Sequence, residues 1–238
     1  MESVVDVDNL VKHYGENEAV RGITFKINQG EIFGLIGPNG AGKTTTLRII
    51  STLLTITSGS IRVMGYDLKD QPDEIRKIIS YLPEDAGAYK NLTGTKYLEF
   101  IANFFEQEKK QDMIQKGIQI ADLDERIKDR VDTYSKGMQR RLLVGRALMT
   151  DPKLAILDEP TSGLDVINAQ EIRNIIKKIT KKGTTVLLSS HNMLEVEYLC
   201  DRIALIDNGL IVERGKPEDL MKKYDSRNIE EVFSKVVK

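Results

Sequence analysis

The run Gly37-Pro38-Asn39-Gly40-Ala41-Gly42-Lys43-Thr44 has the spacing of a loop that cradles phosphate. Its glycines let backbone N–H groups turn inward around phosphate oxygens, and a helix starting at its end would add the positive pole of its dipole. Lys43 is long enough to reach the β- and γ-phosphates of a nucleotide, and the Thr44 hydroxyl can bind Mg²⁺. A merely flexible glycine turn would satisfy the same pattern. Here, however, the loop follows the apolar run EIFGLI and precedes KTTTLRII, the strand–loop–helix order that phosphate binding requires.

A second set of candidates follows another apolar run. Leu154 to Leu157 lead directly into Asp158 and Glu159. Beside a phosphate loop, the acid that closes such a strand holds Mg²⁺, usually through water. Glu159, one residue further, is where a carboxylate could orient and deprotonate an attacking water. Ser135 and Gly137 come just before the helix-like stretch GMQRRLLVGRALM, so an anion could dock at that helix start. A phosphate loop and such a helix start within one chain generally face different directions.

The elements that must position these residues alternate along the chain. ITFKINQGEIFGLIG reads as a strand, a turn at Asn28 to Gly30, and a second, buried strand. KTTTLRIISTLL places Leu47, Ile50 and Leu54 at helical spacing, and SGSIRVMGYDL reads as another strand pair. From about residue 87 to about residue 150 the pattern turns helical. Tyr97, Ile101, Phe104 and Phe105 fall on one helical stripe there, and Asp112 to Leu123 also reads as helix. Beyond it, LAIL is a short buried strand. Ile172, Ile175, Ile176 and Ile179 mark a helix that stops at Gly183, TTVLLSS is a strand, and IALIDNGLIVERG is a hairpin around Asn208-Gly209. Such strand–helix alternation predicts an α/β fold with a largely parallel sheet and its ligands at the carboxyl ends of the strands.

Composition narrows the classes further. The 238 residues suffice for one large domain, or one domain carrying a lobe. The net charge of −1 and the scattered cations give no reason to expect a nucleic-acid partner. Cys200 is the only cysteine, which excludes an internal disulfide and fits a reducing compartment. The start MESVVDVDNL lacks the basic-then-apolar pattern of a signal peptide. No run approaches the roughly 18 apolar residues of a membrane span. The expectation is a cytoplasmic protein that reaches any membrane process from the inner face, through a partner.

From about residue 4 to about residue 215 the chain resembles the ATP-binding subunit of ABC transporters, with that family's motifs in order. The resemblance implies that Tyr14, in KHYG, stacks on adenine, and that GPNGAGKTT, ending at Thr45, is the phosphate loop. It makes LAILDEP the acidic strand end, with Glu159 as general base, and YSKGM, Tyr134 to Met138, the signature segment. SGLD, ending at Asp165, becomes the loop that crosses a dimer interface, and His191 the switch histidine on the γ-phosphate. In this family two subunits related by a two-fold axis complete each other's ATP sites. Two departures stand out. Glu84 occupies the place of a glutamine that would reach Mg²⁺ or water, and Lys136 and Met138 depart from the commoner LSGGQ signature. Ser135 and Gly137, the γ-phosphate contacts, are kept.

The expected architecture is therefore a phosphate-loop core of ABC type, with a small antiparallel β lobe and a helical lobe inserted at about 87–150. The expected activity is hydrolysis of ATP with Mg²⁺, with Glu84 joining Thr44 and Asp158 as a candidate metal ligand. The expected partners are a second ATP-binding subunit and an integral membrane subunit. YLPEDAGAYKNLTG together with YSKGMQRRL most resembles the branch exporting drugs, antibiotics, sodium ions or lipids. The rival readings are an ABC ATPase without a transport role, such as one for iron–sulfur assembly, and a module that binds ATP only to dimerise.

Overall fold

Along β2 (Asn17–Asn28), which folds back antiparallel on β1 (Ser3–Tyr14), buried Ile23, Phe25 and Ile27 alternate with exposed Thr24 and Lys26. That period of two gives the hairpin one apolar face. A computed structural model describes residues 3–237 of the chain. β3 (Ile32–Ile36) is buried at every position, as a strand covered on both faces must be. The phosphate loop follows and opens α1 (Lys43–Ile50). β4 (Ser58–Val63) and β5 (Tyr66–Asp67) complete an antiparallel sheet in the order β2-β1-β4-β5. α2 (Pro72–Ile78) has proline and acids in its first turn and Arg76 and Lys77 in its last, both favourable to the helix dipole. It runs straight into β6 (Ile79–Leu82).

The middle of the chain forms α3 (Gly94–Ala102), α4 (Lys110–Ala121) and α5 (Lys136–Leu148). The apolar stripe is shorter than the sequence predicts. α3 ends at Ala102 after burying Tyr97 and Leu98, and Phe104 and Phe105 lie beyond it with exposed rings. α4 and α5 meet through glycine. A Cβ on Gly145 would lie 2.6 Å from the Gly117 carbonyl oxygen, so only a hydrogen fits there.

Alternation then resumes as β7 (Leu154–Asp158), α6 (Val166–Thr180), β8 (Thr185–Ser190), α7 (Met193–Leu199), β9 (Arg202–Asp207) and β10 (Leu210–Gly215). α8 (Pro217–Lys223) and α9 (Ile229–Val236) follow. The second sheet has the order β10-β9-β3-β8-β7-β6, parallel except where β10 folds back on β9. Its alternating side chains divide the interior in two. Phe33, Leu35, Leu154, Ile156 and Leu187 face α1 and the antiparallel sheet, where Phe25 stacks on Phe33. Ile32, Ile36, Ala155, Leu157, Val186 and Leu188 face the other way, onto the helices.

Register decides what meets at the sheet edge. Ile36 pairs with Ser190, Asp158 with Ser189, and Leu82 with Leu157. The segments following β3, β8, β7 and β6 therefore leave the same edge side by side. They carry Gly37, His191, Glu159 and Glu84 respectively.

Candidate active site

The phosphate loop is embedded between the two sheets, and its glycines have different reasons to be there. A Cβ on Gly37 would lie 2.0 Å from the Ile206 carbonyl oxygen, and one on Gly42, at φ +102°, would lie 2.5 Å from that of Ala19. Gly40, at φ +83°, has open space around it and serves the turn alone. The Gly209 N–H, from the hairpin turn, donates to the Ala41 carbonyl at 3.1 Å and braces the loop from outside. Pro38, Asn39 and Gly40 face solvent, while Thr44 and Thr45 are half-buried at the start of α1. Lys43 is almost fully buried. Its Nζ donates to the carbonyls of Gly37 at 2.7 Å and Pro38 at 3.1 Å.

Asp158 is held on three sides. Its Oδ1 accepts from Ser189 Oγ at 2.5 Å and from Thr44 Oγ1 at 3.2 Å, and its Oδ2 accepts from the Tyr81 hydroxyl at 3.3 Å. Burial, reinforced by the Asp158 charge, pushes the Tyr81 phenol up to about 12, so it stays a donor at neutral pH. Glu159 follows at φ +48°, in left-handed backbone. Its N–H donates to Ser189 Oγ at 2.9 Å. Its carboxylate lies between two sequence-distant groups, with Lys43 Nζ 3.4 Å from Oε1 and His191 Nδ1 2.9 Å from Oε2. The Glu159 side chain is buried, whereas the His191 ring is about half exposed.

Glu84, Tyr14 and the phosphate loop face the same cleft of about 660 Å³, whose wall also includes Glu159 and the Asn208-Gly209 turn. That volume lies in the ordinary range for a bound small molecule. Tyr14 ends β1 with 46% of its surface exposed, and the Lys12 ammonium lies 5.2 Å from its ring centroid. Glu84 accepts from Ser162 Oγ at 3.3 Å. No group of three or more His, Cys, Asp and Glu forms a metal cage among the described residues. Mg²⁺ at a phosphate loop does not need one, because it takes a hydroxyl, a carboxylate, phosphates and water. Thr44 Oγ1 and Asp158 Oδ1, at 3.2 Å, are such a donor pair.

Ser135, Gly137 and Asp165 do not line this cleft. They gather in a cluster of their own. Ser135 caps α5 by accepting the Met138 N–H at 3.2 Å. Asp165 caps α6 by accepting the Asn168 N–H at 2.9 Å and its side-chain amide at 2.5 Å, bonds that hold the carboxyl below its usual range. The same Asn168 amide covers Gly137, where a Cβ would come within 1.9 Å of Asn168 Oδ1. Val166 and Ile167, next along, are exposed by 81% and 73%. Sequence reasoning passes over Ser189, Tyr81, Ser162 and Arg140 as site residues. No sequence-level signal marks Ser189, which reaches Asp158 through the pairing of β8 with β7.

A family model described as ABC transporter matches residues 20–162. The linearmycin resistance ATP-binding protein LnrL of Bacillus subtilis is 38% identical, over 95% of this chain and 73% of its own length. The bacitracin transport ATP-binding protein BcrA of Enterococcus faecalis is 35% identical, over 94% of this chain and 72% of its own. Among solved structures, a dimeric ATP-binding cassette in a post-hydrolysis state, bound to ADP and Pi, matches with a TM-score of 0.78. It is 27% identical, over 89% of this chain and 98% of that one.

Proposed function

The chain belongs to the ABC transporter family, and from that premise we propose that it is the ATP-hydrolysing subunit of an exporter, acting as an ATP-bound pair under a separate membrane subunit. One observation carries the reading. The Glu159 carboxylate lies between Lys43 and His191, at the end of the strand that presents Asp158 to Thr44. Phosphates entering the loop compete for the Lys43 ammonium and draw it away from Glu159. The released carboxylate takes the proton of the attacking water, while His191 holds that water and the γ-phosphate in line. Backbone N–H groups of the loop beyond Pro38, through Thr45 at the start of α1, stabilise the phosphate charge. Thr44 and Asp158 would hold Mg²⁺, which when bound neutralises charge on the phosphate oxygens.

Glu84 is the further candidate metal ligand. Its hydrogen bond to Ser162 and its place between the core and the helical segment at about 87–150 suit it equally to relay the nucleotide state to that lobe. We read this segment as a lobe inserted in a single ATP-binding domain. Across the dimer, Ser135 and Gly137 of one chain would reach the γ-phosphate held by the other, with Asp165 at the crossing.

The named roles of the relatives, linearmycin resistance and bacitracin transport, favour export of an antibiotic or drug, and none favours iron–sulfur assembly. No helix of the described residues is long and apolar enough to cross a membrane. A membrane subunit would hold the chain at the inner face. Tyr89, Phe100 and Phe104, in edge-to-face contact at 5.3 and 5.4 Å, offer that subunit an exposed aromatic ridge.

Replacing Glu159 with glutamine tests the reading. The amide keeps the shape and cannot accept the water's proton, so turnover should fall by about 10²–10⁴ while ATP affinity persists. With hydrolysis blocked, ATP should hold two chains together on size exclusion. Turnover near that of the wild type would remove Glu159 as the base.

A further inference from the structure

Arg140, in the second turn of α5, is 8% exposed and donates to five backbone carbonyls on two separate segments. Nε reaches the Pro160 carbonyl at 2.8 Å, and Nη2 reaches those of Asp158 at 3.0 Å and Glu159 at 2.8 Å. Nη1 reaches the carbonyls of Pro83 at 3.3 Å and Glu84 at 3.2 Å. A guanidinium has five N–H donors in a rigid fork, so every one is used. Burial, helped by the nearby Arg146 cation, pulls the Arg140 pKa down, and the acids Glu84, Asp158 and Glu159 oppose that pull. The cation is thus built in at some cost, and its partners are peptide carbonyls rather than a carboxylate.

The peptide it holds needs holding. Glu159 sits at φ +48°, a region disfavoured for a residue with a long side chain. It also precedes Pro160, and a residue before proline is pushed toward extended backbone. Three hydrogen bonds restrain it: its N–H donates to Ser189 Oγ, and its carbonyl accepts from the Ser162 N–H at 3.1 Å within its own turn and from Arg140, which ties it to a separate element. We propose that Arg140 is a positioning residue for Glu159, keeping the strand end in the turn that aims the Glu159 carboxylate between Lys43 and His191. Without the fork the peptide relaxes toward extended backbone and the carboxylate swings off that line. The inference rests on the reading of Glu159 as the general base.

The test uses Arg140→Lys and Arg140→Gln, the second avoiding a buried lone ammonium. Misplacing a catalytic group by about 1 Å costs up to about 10²-fold, so kcat should fall by about ten- to a hundredfold in both variants. ATP affinity, set by the phosphate loop, should stay within about threefold, giving a kcat effect without a matching KM effect. Either substitution added to Glu159→Gln should leave the ATP-driven dimer intact, because that assay no longer asks anything of the base. A kcat within about twofold of wild type in both variants would overturn the proposal. So would loss of the dimer or of ATP binding, which would make Arg140 a support for α5, and so would failure of both variants to fold. Full turnover in Glu159→Gln alone would sink the general-base reading instead. An inactive Glu159→Gln beside active Arg140 variants would sink only the positioning role.

Discussion

At the scale of single residues, the site contrasts groups held from several sides with one that is almost free. Asp158 is fixed by hydrogen bonds from Ser189, Thr44 and Tyr81, and a carboxylate oriented by its own fold lowers the reorganisation that binding requires. Tyr14 is the opposite case. It projects from the end of β1 with nearly half its surface open, and Lys12 is its cation–π neighbour. Such a ring can contribute to ATP binding by stacking on the base. Removing a stacked ring costs roughly 1–3 kcal/mol, so Tyr14→Ala should weaken ATP binding about ten- to a hundredfold. Tyr14→Phe keeps the ring and should bind as the wild type does. A titration giving equal affinities for wild type and Tyr14→Ala would take Tyr14 out of the site.

At the scale of elements, the start of α5 serves two purposes at once. Ser135 caps the helix through the Met138 N–H, and the same hydroxyl is the proposed donor to a phosphate on a partner chain. Gly137 looks from sequence like the natural place to disrupt that contact. The structure shows otherwise, because any side chain there first collides with Asn168 of its own chain. A Gly137→Asp variant would therefore confuse a local clash with a lost phosphate contact. Ser135→Asp separates the two. Aspartate is as good an N-cap as serine, so α5 should keep its stability, while the new carboxylate repels a γ-phosphate brought against it. ATP binding by the single chain should survive, and ATP-driven dimerisation and hydrolysis should fail. A variant that melts several degrees lower and hydrolyses normally would reduce Ser135 to a helix cap.

At the scale of the whole molecule, two features ask for a second chain. The nucleotide cleft and the Ser135–Gly137–Asp165 cluster do not share a wall, and exposed Val166 and Ile167 sit beside that cluster as apolar surface that a partner would cover. In a two-fold pair one chain's cluster would close the other's cleft. Mixing Lys43→Ala chains with Ser135→Asp chains tests this geometry. A mixed dimer carries both lesions at one composite site and leaves the other intact. Some hydrolysis should return, provided that either variant mixed with wild type shows a single intact site to turn over. If single-site dimers work and the two variants never complement, the signature segment acts within its own chain.

The sequence by itself determined most of the elements and the family's chemistry. Fully apolar LAIL and the buried end of EIFGLI could only be interior strands, and both are. The glycine spacing and the acids at the end of LAIL pointed to a phosphate loop and an acidic partner before any fold was drawn. These features are local, and local backbone preference and hydrophobic period are written in neighbouring residues. Only the tertiary structure decided which groups meet. Ser189 reaches Asp158 because β8 lies beside β7, and Arg140 reaches Glu159 because α5 packs against β6, the other neighbour of β7. The end of α3 at Ala102 and the Asn168 amide over Gly137 were equally invisible in the sequence. Each depends on partners far along the chain, whose distance and direction follow from strand order, register and packing. No local pattern encodes them.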